Sequence, residues 1–243
     1  MLKGKGYFKW VGKGKKPPWK RDFQRLICET WTYCDSYLNR SGEPPYWNTE
    51  MSMVGNMAIA LGRMQGGKNK YIAALEYIGE RTDQRQDLWI DFGGKAKDIL
   101  VETKLGWVSY NRKDSRTAAD NIAKIIGKAR RQLSGYAAGN SEKAKANIAL
   151  VFAPLYFTCD KKPKKRSKRK CRECGFPQNN DDELVKWMSE VESLLPRKGL
   201  KISCWGYYLP HMPRPGLCLQ WDNDCHPAVM IFGTVLKNNQ KRR

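Results

Sequence analysis

The chain has 243 residues, of which 41% are hydrophobic, enough for one main domain with a core of ordinary size. Its 45 Lys and Arg against 24 Asp and Glu leave a net charge of +21, well beyond what solubility requires, so the expected partner is a polyanion: nucleic acid first, an anionic membrane surface second. The longest apolar runs, such as ANIALVFAPLYF, are of strand length and fall short of the ~20 residues of a spanning helix, and the basic N-terminus lacks the apolar centre of a signal peptide, so a cytoplasmic protein is expected.

Residues 1–20 carry seven lysines among glycines, prolines and aromatics, a composition that reads as a flexible basic arm. Residues 21–240 read as the main domain. RDFQRLICETWTYCDSYLNR sets Phe23, Leu26, Ile27, Trp31, Cys34 and Leu38 on one helical stripe, with Cys28 and Cys34 as core residues. After SGEPPYW, the run NTEMSMVGNMAIALGRM predicts a helix capped by Asn48 or Thr49, with Met53, Val54, Met57, Ala58 and Leu61 facing inward and Glu50 in the first turn, where a carboxylate favours the helix dipole.

KYIAALEYIGE fits either a helix or a strand by its period. DLWIDF and DILVETKLGW, separated by GGKAK, predict an antiparallel hairpin. A long helix over about 115–138 leads to a strand at NIALVFAPLYF, then to a basic insertion at 158–180, a helix at DDELVKWMSEVESLL, and strands at GLKISCWGYYL and PAVMIFGTVL. This order predicts an α/β fold with a mixed central sheet flanked by helices.

Within DILVETKLGW, the alternation of a strand puts Glu102 and Lys104 on one face and Val101, Thr103 and Leu105 on the other. By itself an E-x-K triplet is usually a solvated ion pair. Asp87 opens the neighbouring strand of the hairpin, which can bring Asp87, Glu102 and Lys104 together. Two adjacent carboxylates suit a hard cation such as Mg²⁺, and a lysine beside them can orient a water or stabilise charge developing on a phosphate. The trio fits phosphodiester hydrolysis better than simple pairing.

The run RQDLWIDFGGKAKDILVETK resembles the PD-(D/E)XK nuclease superfamily, with Gln86 standing where proline is often found. The helix that follows adds Gln132 and Tyr136, a Q-x-x-x-Y pair on one helical face similar to that of RecB-like nucleases. The resemblance covers roughly residues 48–157 and implies a restriction-endonuclease-like fold and a Mg²⁺- or Mn²⁺-dependent deoxyribonuclease. It implies that Asp87 and Glu102 bind the metal, with the Thr103 carbonyl as a third ligand, and that Lys104 positions the nucleophilic water. Glu50 matches the extra glutamate that many members carry before the sheet and would support a water held by the metal. Gln132 and Tyr136 would hold the site or the DNA backbone. Asp91 rivals Asp87, because DLWID offers two acids on one face; the fifteen-residue step to Glu102 favours Asp87. Cutting a duplex with a single active site often calls for a homodimer.

KKPKKRSKRK, residues 161–170, has eight basic residues in ten and reads either as a solvated segment or as a phosphate-tracking loop. Cys171 and Cys174 form a C-x-x-C knuckle with Cys159 twelve residues upstream. A structural Zn²⁺ there would need a further ligand from Cys204, Cys218, Cys225, His211 or His226, should the C-terminal strands return nearby; free thiols are the simpler alternative. Two other functions suit the composition: a non-catalytic DNA-binding protein, and an RNA-binding protein stacking bases on Tyr7, Phe8, Trp10 and Trp19.

Overall fold

In the computed structural model the described residues are 4–11, 17–47, 50–64, 71–78, 85–93, 98–110, 114–140, 146–158, 181–210, 220–221, 224–226 and 228–236. The chain opens with strand β1 (Lys5–Trp10), where a flexible arm was expected. The lysine count of this segment conceals a period-two pattern. Phe8 and Trp10 turn inward and are buried against Trp19 and Phe23, while Lys5, Tyr7 and Lys9 take the opposite face. Burying two large aromatics outweighs the preference of a Lys- and Gly-rich stretch for disorder.

Helix α1 (Pro18–Ser41) starts with proline at its first position and ends at Gly42, whose φ of 77° lets its N–H reach the Leu38 carbonyl. The stripe from Phe23 to Leu38 is buried as its spacing predicts. Cys28 is exposed rather than in the core, because it lies one residue, about 100° of helix, beyond the buried Ile27. Helix α2 (Glu50–Arg63) buries Met53, Val54, Met57 and Leu61, with Asn56 and Ala60 rather than Ala58 completing the face. Residues 48 and 49, the expected cap, lie outside the described residues.

A three-stranded antiparallel meander follows: β2 (Ile72–Ile78), β3 (Arg85–Asp91) and β4 (Asp98–Leu105). Within KYIAALEYIGE, Ile72–Ile78 thus forms a strand. The short β5 (Val108–Ser109) precedes helix α3 (Ser115–Asn140), which returns the chain to β6 (Ala146–Thr158), parallel to β4. A parallel neighbour requires such a crossover, and α3 supplies it. Helix α4 (Asp181–Leu194) leads into β7 (Cys204–Leu209), β8 (Gln220–Trp221), β9 (Asp224–Cys225) and β10 (Val229–Leu236).

The sheet runs β1-β7-β10-β6-β4-β3-β2, with β5, β8 and β9 off this path. It is mixed, and helices flank it. Strand β6 lies between β4 and β10 and sorts its side chains by parity. Ile148, Leu150 and Phe152 join α1 and α2 in one core, while Val151, Ala153 and Leu155 join α3 and α4 in another. Among the described residues, no helix is long and apolar enough to cross a membrane.

Candidate functional site

Three elements meet at the C-terminal end of β4. The paired register of β3 and β4 runs from Asp91 opposite Asp98 to Leu88 opposite Val101. Beyond it the Thr103 N–H needs another acceptor, and Asp87 provides one: its Oδ2 accepts from the Thr103 N–H at 2.6 Å and from the Thr103 hydroxyl at 2.8 Å. From the other side, Glu50 in the first turn of α2 accepts from the Leu105 N–H through Oε2 at 3.0 Å and from Lys104 Nζ through Oε1 at 2.9 Å. One carboxylate therefore ties the helix start to both the backbone and the lysine of β4.

Lys104 is the hub. Its ammonium donates to Glu50 Oε1 at 2.9 Å, to Glu102 Oε1 at 2.7 Å and to the Thr103 carbonyl at 2.8 Å, which engages all of its N–H donors. Burial alone would lower its pKa, but the hydrogen bonds to Glu102 and Glu50 outweigh burial and hold it above the usual lysine value.

Glu102 is fully buried. Burial pushes its pKa up to about 7, with the charges of Asp87 and Glu50 adding to the rise and Lys104 opposing it. Its Oε2 has no hydrogen-bond partner among the described residues. An unsatisfied buried carboxylate oxygen is costly, and it is the type of donor that a hard cation such as Mg²⁺ or Mn²⁺ prefers. Among the described residues no three His, Cys, Asp or Glu side chains close on a common point. The carboxylates are instead drawn to Lys104 and Thr103, which supply the positive charge and the donors.

The structure therefore brings Glu50, Asp87, Glu102 and Lys104 together. The two rival acids separate: Asp91 Oδ1 accepts from the Gly93 N–H at 2.7 Å and closes the turn after β3, where Gly93 has φ 74°. The Thr103 carbonyl, expected as a metal ligand, is engaged by Lys104. The Thr103 hydroxyl was not singled out from the sequence, although a hydroxyl residue between the two charged residues of E-x-K is visible there. On α3, Ala129 and Leu133 pack on Leu100 and Ala149, while Gln132 is exposed; among the described contacts none joins it to Glu102 or Lys104. Tyr136 lies within α3, and its side chain is outside the described set.

Cys159, Cys171, Cys174, Cys218, His211 and the basic run 161–170 lie outside the described residues. The C-terminal strands do return to the end of β6, where β9 pairs Cys225 with Phe157 and Asp224 with Thr158. Cys204 is buried in the core, where burial pushes its thiol pKa up, and His226 is buried with its ring 5.1 Å from that of Trp107. Of the aromatics considered as stacking platforms, Phe8, Trp10 and Trp19 are buried, while Tyr7 is exposed. Compared with known protein families, curated proteins and solved structures, the chain matches none.

Proposed function

We propose that this protein is a metal-dependent nuclease of restriction-endonuclease-like fold that hydrolyses DNA phosphodiester bonds. The observation that carries the reading is that Lys104 joins Glu50 of α2 to Glu102 of β4, with Asp87 of β3 bound to the intervening Thr103, while the other Glu102 oxygen is buried without a hydrogen-bond partner among the described residues. The order helix, antiparallel meander, crossover helix and parallel strand supports the same reading.

Asp87 and Glu102 would hold the cation, with the Thr103 carbonyl available once Lys104 lets it go. When bound, Mg²⁺ supplies Lewis acidity at a phosphate oxygen and a low-pKa water beside it. The protein's own residues prepare the ground. Asp87 directs both of its described bonds to one oxygen, so the Thr103 N–H and hydroxyl fix the carboxylate's orientation. Glu50 holds the Lys104 ammonium at the end of β4, and an ammonium so placed can stabilise negative charge growing on a scissile phosphate. Because all the Lys104 donors are engaged, meeting a substrate means exchanging one internal acceptor for a substrate oxygen. The Glu102 bond is the natural one to yield, since a cation held there would take over the lysine's role of neutralising that carboxylate. The net charge of +21 favours association with the phosphate backbone and carries little sequence information.

The test is a panel of labelled duplex DNA, single-stranded DNA and RNA incubated with Mg²⁺, Mn²⁺ or EDTA. Cleavage of DNA with either metal and none in EDTA is the expected result.

A further inference from the structure

The lysine-rich N-terminal segment forms a second surface that the candidate site does not use. On β1 the side chains of Lys5, Tyr7 and Lys9 share the face opposite to the buried Phe8 and Trp10. Tyr7 is 39% exposed on this edge strand of the sheet. It stacks on Tyr207 of β7, with centroids 5.4 Å apart and ring planes at 25°, and meets Trp205 edge-on at 5.8 Å. Lys9 Nζ lies 5.0 Å from the centre of the Trp205 ring. Gly206 makes this close docking of the strands possible, because a Cβ there would stand 2.2 Å from the Tyr7 carbonyl oxygen.

We propose that this shelf, Tyr7 backed by Tyr207 and flanked by Lys5 and Lys9, is a stacking platform for the unpaired bases of a single-stranded nucleic acid. An unpaired nucleotide presents a flat π-face with a phosphate on either side. The shelf offers a flat ring with an ammonium-bearing residue on either side, and Lys5 and Lys9 are four residue steps apart, about 13 Å along a strand. Bases in a duplex already stack on one another, so the ring favours single strands, whereas the lysines attract any phosphate backbone.

The shelf also relates to the candidate site. The register pairs Lys104 with Val151, Val151 with Phe232, Phe232 with Trp205 and Trp205 with Lys9, so one cross-strand row links the two lysines. Four strand spacings amount to about 19 Å, but Val151, Phe232 and Trp205 between the two lysines are buried, so this row sets their separation and not a path along the surface. In taking nucleic acid as the ligand the proposal leans on the functional reading, but binding does not require hydrolysis.

The experiment measures fluorescence anisotropy in EDTA with a labelled oligothymidine of about a dozen nucleotides and a mixed-sequence duplex of the same length. Tyr7→Ala is expected to weaken oligothymidine binding roughly five- to a hundred-fold while leaving the duplex within about twofold, and Tyr7→Phe is expected to bind both as the native protein does. Lys5→Gln combined with Lys9→Gln should lower the log–log salt slope for the single strand by about 1.4. Oligothymidine binding by Tyr7→Ala equal to that of the native protein would overturn the proposal. So would an equal loss for both ligands, or a loss in Tyr7→Phe as large as in Tyr7→Ala. Asp87→Ala, measured alongside, separates the two ideas: retained single-strand binding without cleavage supports the platform, and an absence of cleavage in every form of the protein sinks the nuclease reading alone.

Discussion

Asp87 and Thr103 are joined twice through a single oxygen, with the Thr103 N–H at 2.6 Å and its hydroxyl at 2.8 Å from Asp87 Oδ2. This pair sets the orientation of the first acid of the proposed site. Thr103→Val deletes the hydroxyl and keeps the shape, so Asp87 retains only the backbone bond. The expected loss is about 1 kcal/mol of stability, with a higher Mg²⁺ concentration needed for half-maximal cleavage, and Thr103→Ser restores both. Denaturant titration and a Mg²⁺ titration of activity check this.

Lys104 is more than an exposed partner of Glu102, because it bridges Glu50, Glu102 and the Thr103 carbonyl. Lys104→Ala is therefore expected to abolish cleavage and also to cost about 1.5–3 kcal/mol in metal-free protein at pH 8, since it strands a buried carboxylate. Glu102→Gln removes that charge and should keep stability while still abolishing cleavage. Thermal melts in EDTA beside cleavage assays distinguish the two variants.

The raised pKa of Glu102 predicts a pH dependence with a definite sign. Between its ordinary value of 4.5 and about 7, the folded protein holds a proton that the unfolded chain has lost. Raising the pH through this window therefore lowers the stability of the metal-free protein. The difference in stability between native protein and Glu102→Gln, followed by denaturant unfolding in EDTA across that range, should carry this slope. Adding Mg²⁺ should flatten it, because a cation beside the carboxylate favours the ionised form.

Gly206 tests the docking of β1. An added methyl would meet the Tyr7 carbonyl oxygen at 2.2 Å and the Phe8 Cα at 2.9 Å, and backbone cannot move aside as a flexible side chain can. Gly206→Ala should cost about 1–3 kcal/mol, read as a lower melting temperature.

Much of this arrangement was legible in the sequence because its signals are local. The Glu102–Lys104 spacing fixes a shared strand face, and GGKAK between two apolar runs fixes the hairpin that brings Asp87 alongside. Glu50 was legible as a first-turn acid, but its grip on Lys104 and the Leu105 N–H spans 54 and 55 residues of chain and depends on how α2 lies over β4. The strand at Lys5–Trp10 was missed for a different reason. A count of lysines and glycines records composition, whereas burial of Phe8 and Trp10 depends on alternation and on finding β7 as a partner about two hundred residues away. Cys28 is the reverse case: its residue type suggests burial, but its helical angle points outward, and the angle decides its exposure.

If the cluster on β3 and β4 is a metal-dependent hydrolytic site, one set of variants decides it. Native protein, Asp87→Ala, Glu102→Ala and Lys104→Ala are incubated with labelled DNA in Mg²⁺, Mn²⁺ and EDTA, with folding of each verified by thermal melting. Metal-dependent cleavage by the native protein and none by the three folded variants is the expected result. Full activity in Lys104→Ala and Glu102→Ala, or cleavage that persists unchanged in EDTA, would contradict it.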